Sequence, residues 1–212
     1  MTSSPETGPY PPVAVPRSLV FLASGWLFGS WVLAVGLHPP IQPSSLVFEP
    51  SARLFLASIV LGILVAWPLF RLSGPRQPRG RVATGLDLIS LIVLIQIVLW
   101  PLRLMTSWSV EQTALIDALL IGWVTLGGVF IAAAAPRGPA VRVAAMSVLL
   151  GWLIMPLPFA FTWSPLGMIW DTTATHQDVV EQGKWLIVIW LWGLGGLLWA
   201  TSDLWRVRKV VP

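Results

Sequence analysis

Cysteine is absent from the 212 residues of this chain. A chain without thiols forms no disulfides, thiolate metal sites or thiol relays, and it offers no cysteine nucleophile. The absence does not fix the compartment, because a membrane protein without cysteine is compatible with either side of a bilayer. Any chemistry of the chain must come from other side chains.

Charge is also scarce. Only 10% of the residues are charged and 56% are hydrophobic, whereas an average soluble domain has about 25% charged residues. A soluble chain of this size could not cover its surface with so few charges, so the sequence predicts an integral membrane protein. Within lipid only a helix satisfies all of its own backbone groups and open strands do not, so we expect an all-α protein.

The aromatic residues are unevenly distributed among types, with a single tyrosine and 14 tryptophans. Tryptophan favours the interface between membrane and water. The rings expected near the external boundary are those of Trp100, Trp108, Trp163, Trp170 and Trp185. Trp67 and Trp205 are expected near the inner boundary.

Several enzyme signatures are missing from the sequence. There is no His-Glu-x-x-His metal motif, no Gly-x-Ser-x-Gly elbow and no phosphate-binding glycine-rich loop with lysine. The basic residues lie in short connectors between apolar runs, which argues against a nucleic-acid partner. These absences favour a protein without enzymatic activity, although they do not exclude one.

Six uncharged or nearly uncharged runs predict a bundle of about six transmembrane helices. At about 1.5 Å per residue, runs of this length cross roughly 30 Å of hydrocarbon. The predicted helices are residues 18–37, 54–70, 83–101, 114–135, 143–161 and 185–201. They form one transmembrane domain, 18–203, between a flexible tail, 1–17, and a basic tail, 204–212.

The first run has an alternative interpretation as a cleaved signal peptide, with the small residues Ala34-Val35-Gly36 as the cleavage site. Its amino-terminal flank holds one basic residue, Arg17. The run is also long for a signal sequence, so we favour a transmembrane helix.

The distribution of basic residues predicts the orientation. Ten of the 13 basic residues fall on one side of the six-helix arrangement: Arg17, Arg71, Arg76, Arg79, Arg81, Arg137, Arg142, Arg206, Arg208 and Lys209. The other side has Arg53, Arg103 and Lys184 and the longest connectors, 38–53 and 162–184. By the positive-inside rule both termini are cytoplasmic, and a bacterial inner membrane is the expected location.

Small residues four positions apart recur along the predicted helices, where they allow close backbone approach. We single out Gly25, Gly29, Gly62, Gly122 and Gly196 as packing positions. Others at this spacing are Ser58, Ala66, Ala114, Ala118, Gly128, Ala132, Ser147, Gly151 and Ala200. Glycine and alanine are common in membrane helices, but their recurrence favours a tightly packed bundle.

The last predicted helix has a tryptophan stripe, Trp185, Trp192 and Trp199, at seven-residue spacing. Seven residues are nearly two helical turns, so the three rings share one face. Such a face is suited to a partner subunit or to a lipid-soluble ligand such as a quinone. The simpler alternative is that the rings face lipid.

Three polar residues lie inside the predicted helices, and intramembrane polar groups are functional candidates by default. Asp87 and Asp117 lie about one turn inside opposite ends of their helices, and Gln96 lies near mid-depth. A structural role would pair Asp87 with nearby arginines and Asp117 with Arg103. The alternative is a proton or cation path. We expect mid-depth hydroxyls to bond to carbonyls of their own helix.

Two histidines, His38 and His176, lie in the two long external connectors. Neutral imidazoles are haem or metal ligands, here with Asp171, Asp178 or Glu181 as further donors. The spacing favours ordinary surface histidines, and no metal site is assigned.

Three functions are compatible with this pattern. A membrane subunit that anchors or scaffolds a larger complex requires no converging polar groups, and it predicts other membrane proteins as partners. A transport component requires Asp87, Gln96 and Asp117 to face an interior cavity. A redox subunit requires haem at His38 and His176. We favour the first.

Overall fold

The computed structural model describes residues 16–36, 45–74, 80–154, 164–174 and 182–207, and every regular element within them is helical. The predicted all-α class is thus confirmed for these residues. The helices are α1 (Arg17–Trp31), α2 (Ser45–Leu61), α3 (Trp67–Leu72), α4 (Gly80–Met105), α5 (Val110–Ala134), α6 (Pro139–Ile154), α7 (Pro165–Thr172) and α8 (Gln182–Val207). A π-helical turn, Val32–Gly36, extends α1, and another, Gly62–Ala66, joins α2 to α3.

Among the described residues, four helical stretches are long and apolar enough to cross a membrane: Arg17–Gly36, Val47–Leu72, Val82–Met105 and Val110–Ala134. The chain is therefore a multi-pass membrane protein. Two shorter apolar helical stretches follow, Pro139–Leu153 and Gly183–Trp199. Six spans and cytoplasmic termini stay predictions.

Two helices continue through prolines and extend beyond their predicted bounds. The second helix begins at Ser45 and includes Pro50, and α4 continues through Pro101 to Met105. A proline removes one backbone hydrogen bond, whereas in apolar surroundings a helix still satisfies the other groups best. The π-helical turn Gly62–Ala66 contains Leu64, whose carbonyl the Pro68 ring would meet in a regular helix.

The two connectors that were predicted to be external are more helical than expected. Residues 45–53 belong to α2 rather than to a connector, and residues 165–172 form α7. Ser164 caps α7 by accepting a hydrogen bond from the Gly167 amide. The predicted fifth helix corresponds to α6, which begins earlier, at Pro139, and the remainder of the predicted range lies outside the described residues.

Helix α5 forms the centre of the bundle. It packs most extensively against α4 and α8, and it also contacts α3, α6 and α7. Trp123 at its middle is fully buried, as are Leu115, Ile116, Leu119 and Leu120. Helix α1, in contrast, buries only Leu19 and Ser30.

Arg142 at the start of α6 fixes one end of the bundle. Its guanidinium donates to the carbonyl oxygens of Gly74 and Ala135, each at 2.7 Å, and to that of Leu72 at 3.3 Å. The ends of α3 and α5 therefore meet the start of α6.

The opposite end holds the starts of α5 and α8 together with α7. Gln112 Nε2 donates to the Thr172 carbonyl at 2.7 Å, and Lys184 forms an ion pair with Asp171 at 2.8 Å. Further along, Trp192 Nε1 donates to the Ala118 carbonyl at 3.0 Å. Helices α5 and α8 therefore run parallel.

Candidate functional site

The first polar site is a buried ion pair around Asp87 in α4. Both oxygens of its carboxylate accept hydrogen bonds from the Arg71 guanidinium, and Trp67 Nε1 donates to Oδ2 at 3.2 Å. Asp87 is 0% exposed. A bidentate arginine supplies charge and matched geometry to a carboxylate, so this site stabilises the contact between α3 and α4. Asp87 is thus paired with a nearby arginine, the contact expected if its role is structural.

The second polar site joins α4 to α5 nearer the end of the bundle that holds α7. Gln96 Nε2 donates to Asp117 Oδ1 at 2.5 Å, and Trp100 Nε1 donates to Gln96 Oε1 at 2.8 Å. An indole nitrogen is a donor only, so Trp100 fixes the orientation of the Gln96 amide towards the carboxylate. We call Gln96, Trp100 and Asp117 the outer polar site. Asp117 is only partly buried.

The expected pairing of Asp117 with Arg103 is not found in the described part of the chain. The carboxylate binds Gln96 instead, and Arg103 Nε is buried without a hydrogen-bond partner among the described residues. Arg103 lies seven residues beyond Gln96 on the same helix, which is about 10 Å along the axis.

The three polar residues predicted from sequence thus form two separate sites. Gln96 and Asp117 come together, whereas Asp87 lies nine residues from Gln96, about 13 Å along α4. The inner site is closed by Arg71 and Trp67, and the outer one is partly open.

A third cluster, at the end of the bundle that holds α7, was not predicted from the sequence. Glu49 of α2, 3% exposed, accepts a hydrogen bond from Ser107 and lies 4.0 Å from Arg53. Arg53 Nε donates to the Thr173 carbonyl at 3.0 Å, and its guanidinium lies 5.9 Å from the centre of the Trp170 ring. The spacing of Glu49 and Arg53, four residues apart, was the available signal, but both residues fell in the predicted connector 38–53.

The five predicted packing glycines differ in their surroundings. A Cβ atom on Gly62 would lie 2.9 Å from Trp26 Nε1, and one on Gly122 would lie 3.3 Å from Leu191 Cβ. Gly62 and Gly122 therefore lie at helix contacts with α1 and α8. The other three have no neighbouring side chain within 4 Å of such a Cβ: Gly25, Gly29 and Gly196.

The tryptophan stripe of α8 lies beside α5. Trp192 is 48% exposed although its indole nitrogen is bonded to the Ala118 carbonyl, and Trp185 and Trp199 are partly buried. The tryptophan stripe thus contacts α5 through Trp192, and its other two rings are partly covered.

Two cavities of about 180 and 300 Å³ lie between α1 and α4. Both are lined by apolar and aromatic side chains, and Leu27 contributes to each. None of the three predicted polar residues lines either cavity.

The histidine hypothesis falls on residues outside the described ranges, since both His38 and His176 lie there. Within the described ranges, no three histidine, aspartate or glutamate side chains are close enough together to hold a metal ion.

No protein-family model, curated protein or solved structure matches this chain.

Proposed function

We propose that this protein is a multi-pass membrane subunit that anchors or scaffolds a larger membrane complex, with six spans and both termini in the cytoplasm of a bacterium. The observation that carries the proposal is the pairing of Asp87. The most deeply buried carboxylate of the described helices is enclosed by Arg71 and Trp67 of α3, and so it serves helix association.

Other polar groups at membrane depth are likewise satisfied by contacts within the protein. Ser90 and Thr125 donate to carbonyls of their own helices, at 2.9 and 2.8 Å. Ser30 and Ser58 bond to each other across α1 and α2 at 2.6 Å. Transport or catalysis generally requires polar groups that converge on an accessible cavity, and the two cavities beside α1 are apolar.

The basic-residue asymmetry supports the orientation. The Arg142 contacts place the ends of α3 and α5 beside the start of α6, which is the side that the positive-inside rule makes cytoplasmic. A cysteine replacing Gly138 should react only with membrane-permeant reagents, and one replacing Thr173 should react with impermeant reagents in intact cells. Labelling of the Gly138 position from outside would contradict this orientation.

A transport component is the second candidate, because the Asp117 carboxylate is partly exposed and has one described partner. It would then bind a cation or proton at the outer polar site, and Asp117→Asn would abolish transport while the protein still folded.

The deciding experiment is purification of the tagged protein in a mild detergent, followed by quantitative mass spectrometry of the proteins that co-purify. The control is a matched preparation from cells that express an unrelated six-span protein. The scaffold proposal expects a defined set of membrane proteins in constant ratio, and loss of their assembly when this chain is deleted. If the chain is recovered alone and carries out solute flux in liposomes that Asp117→Asn abolishes, transport replaces the proposal. An absorption spectrum of the same sample tests for haem.

A further inference from the structure

Helices α4 and α8 both pack on α5, and we call the space between them, with α5 as its floor, the groove. Most of α5 is buried, but one stripe of it is only partly covered: Ala114, Asp117, Ala118, Ile121 and Thr125. Asp117 is bonded to α4 through Gln96, and Ala118 is bonded to α8 through Trp192. These partly covered residues of α5 therefore lie between α4 and α8.

The walls of the groove are apolar and exposed. On α4 they include Val93 and Trp100, and on α8 they include Ile189, which is 64% exposed, and Trp192. Because Trp185 and Trp199 lie seven residues on either side of Trp192, the whole tryptophan stripe follows this wall.

The Asp117 carboxylate is the charged group on the floor. It lies seven residues after the start of α5, roughly 10 Å along the helix. A carboxylate accepts about four hydrogen bonds, and among the described residues Gln96 supplies one. An ionised group at this depth is costly unless another charge or several donors satisfy it.

We propose that this groove binds a transmembrane helix of another protein that carries a lysine or arginine facing Asp117. This inference rests on the proposed scaffold function and names the surface through which it acts. The apolar walls match the apolar face of a helix, and the cation completes the hydrogen bonding of the carboxylate.

Charge argues against a second copy of this chain as the occupant. A two-fold symmetric contact brings the same patch of both subunits together, which would place two Asp117 carboxylates close to each other in a poorly solvated region. Of the three basic residues predicted on the external side, Arg53 binds the Thr173 carbonyl and Lys184 binds Asp171, and the Nε of the third, Arg103, is buried.

The test is site-specific photo-crosslinking in intact membranes of the host cell. A photoreactive residue replaces Val93 or Ile189 in the groove walls, or Phe21 of α1 as the control on a distant exposed face. The crosslinked peptide is identified by mass spectrometry. We expect products from Val93 and Ile189 with an apolar span of another protein that contains lysine or arginine.

The charge is tested in the same assay. Asp117→Asn keeps the size of the side chain and an acceptor for Gln96, and it should lower the crosslink yield about tenfold, as expected for loss of one hydrogen bond to a charged group. Glu111→Gln, which removes an exposed acid from the same helix, should leave the yield unchanged. Replacing the partner's cation by aspartate should restore crosslinking to Asp117→Lys.

The failures are distinguishable. Crosslinks to this chain itself, to a span without a basic residue, or with a yield that Asp117→Asn does not change would overturn the groove assignment. Specific crosslinks from Phe21 alone would leave the scaffold function standing and place the partner elsewhere. If no position gives a protein crosslink and purification yields the chain alone, both proposals fail.

Discussion

Helices α1 and α5 have similar apolar compositions, but they occupy opposite positions in the bundle. In an 18-residue apolar segment of each span, 17% of the residues are buried in the first span and 67% are buried in the fourth. Helix α5 is enclosed by neighbours, whereas α1 makes smaller contacts with α2 and α4 and borders two cavities. Hydropathy therefore identifies membrane helices without telling which of them form the core, because lipid and protein interior are equally apolar.

The largest expected effect on the free energy of unfolding is in the core, at the Asp87 ion pair. Arg71→Leu leaves a buried carboxylate without its cation and should lower the free energy of unfolding by about 3–5 kcal/mol. Arg137→Leu, which removes an exposed arginine, should change it little. Unfolding in mixed micelles, followed by circular dichroism, provides the measurement.

The double variant Arg71→Met with Asp87→Leu sharpens this test. Replacing both members of a buried pair by apolar residues is often nearly neutral. We expect the double variant to be more stable than Arg71→Leu. An equal or lower stability would show that Asp87 is not held mainly by this pair.

A direct comparison of the two helices comes from removing one aromatic ring from each. Trp123 of α5 is fully buried and Phe21 of α1 is 84% exposed. Trp123→Ala should cost about 3–5 kcal/mol, towards the lower end because the indole nitrogen has no partner among the described residues. Phe21→Ala should stay within about 0.5 kcal/mol. Similar costs for the two variants, measured in the same micelles, would contradict the contrast between α1 and α5.

Sequence alone predicted the class of the fold and the approximate location of its apolar runs, because both follow from composition and length. It did not predict which polar groups meet. Asp117 and Gln96 were both recognised as candidates, yet the partner expected for Asp117 was Arg103. Pairing depends on the rotation of each helix and on which helices are neighbours, and neither is encoded in the spacing of residues along one helix.

Helix rotation and the choice of neighbouring helices also explain why the predicted glycines differ in their surroundings. Gly25 and Gly62 have equivalent signals in sequence, but only Gly62 faces another helix closely. Likewise, the Glu49 cluster depends on α2 beginning at Ser45 and continuing through Pro50, within the range predicted as a connector.

The attachment of α1 can be broken at Gly62. Gly62→Leu places side-chain atoms where the Trp26 indole lies, since even a Cβ would be 2.9 Å from its nitrogen. We expect a loss of about 1–3 kcal/mol from overpacking, and displacement of α1. Crosslinking between cysteines introduced at Ala23 and Ile59, which line the same cavity, should fall.

Gly25→Leu is the matched control, because a Cβ there has no neighbouring side chain within 4 Å. It should leave both stability and the crosslink nearly unchanged. If the two variants behave alike, α1 is not positioned by the contact at Gly62.

The smallest expected effect is on the hydrogen bond between Ser58 and Ser30. The Ser30 hydroxyl donates to the Trp26 carbonyl at 2.7 Å, so Ser58 is the donor in the contact between the two serines. Ser58→Ala removes this bond but leaves the Ser58 backbone carbonyl, which accepts from Trp26 Nε1 at 3.0 Å. Hydrogen bonds between membrane helices contribute about 0.6 kcal/mol on average, and we expect a loss of that size in the free energy of unfolding. Ser90→Ala, whose hydroxyl bonds only within α4, is the control and should show a smaller loss. A loss above about 2 kcal/mol for Ser58→Ala would exceed the range for such bonds and would show that α1 depends on this contact far more than its low burial indicates.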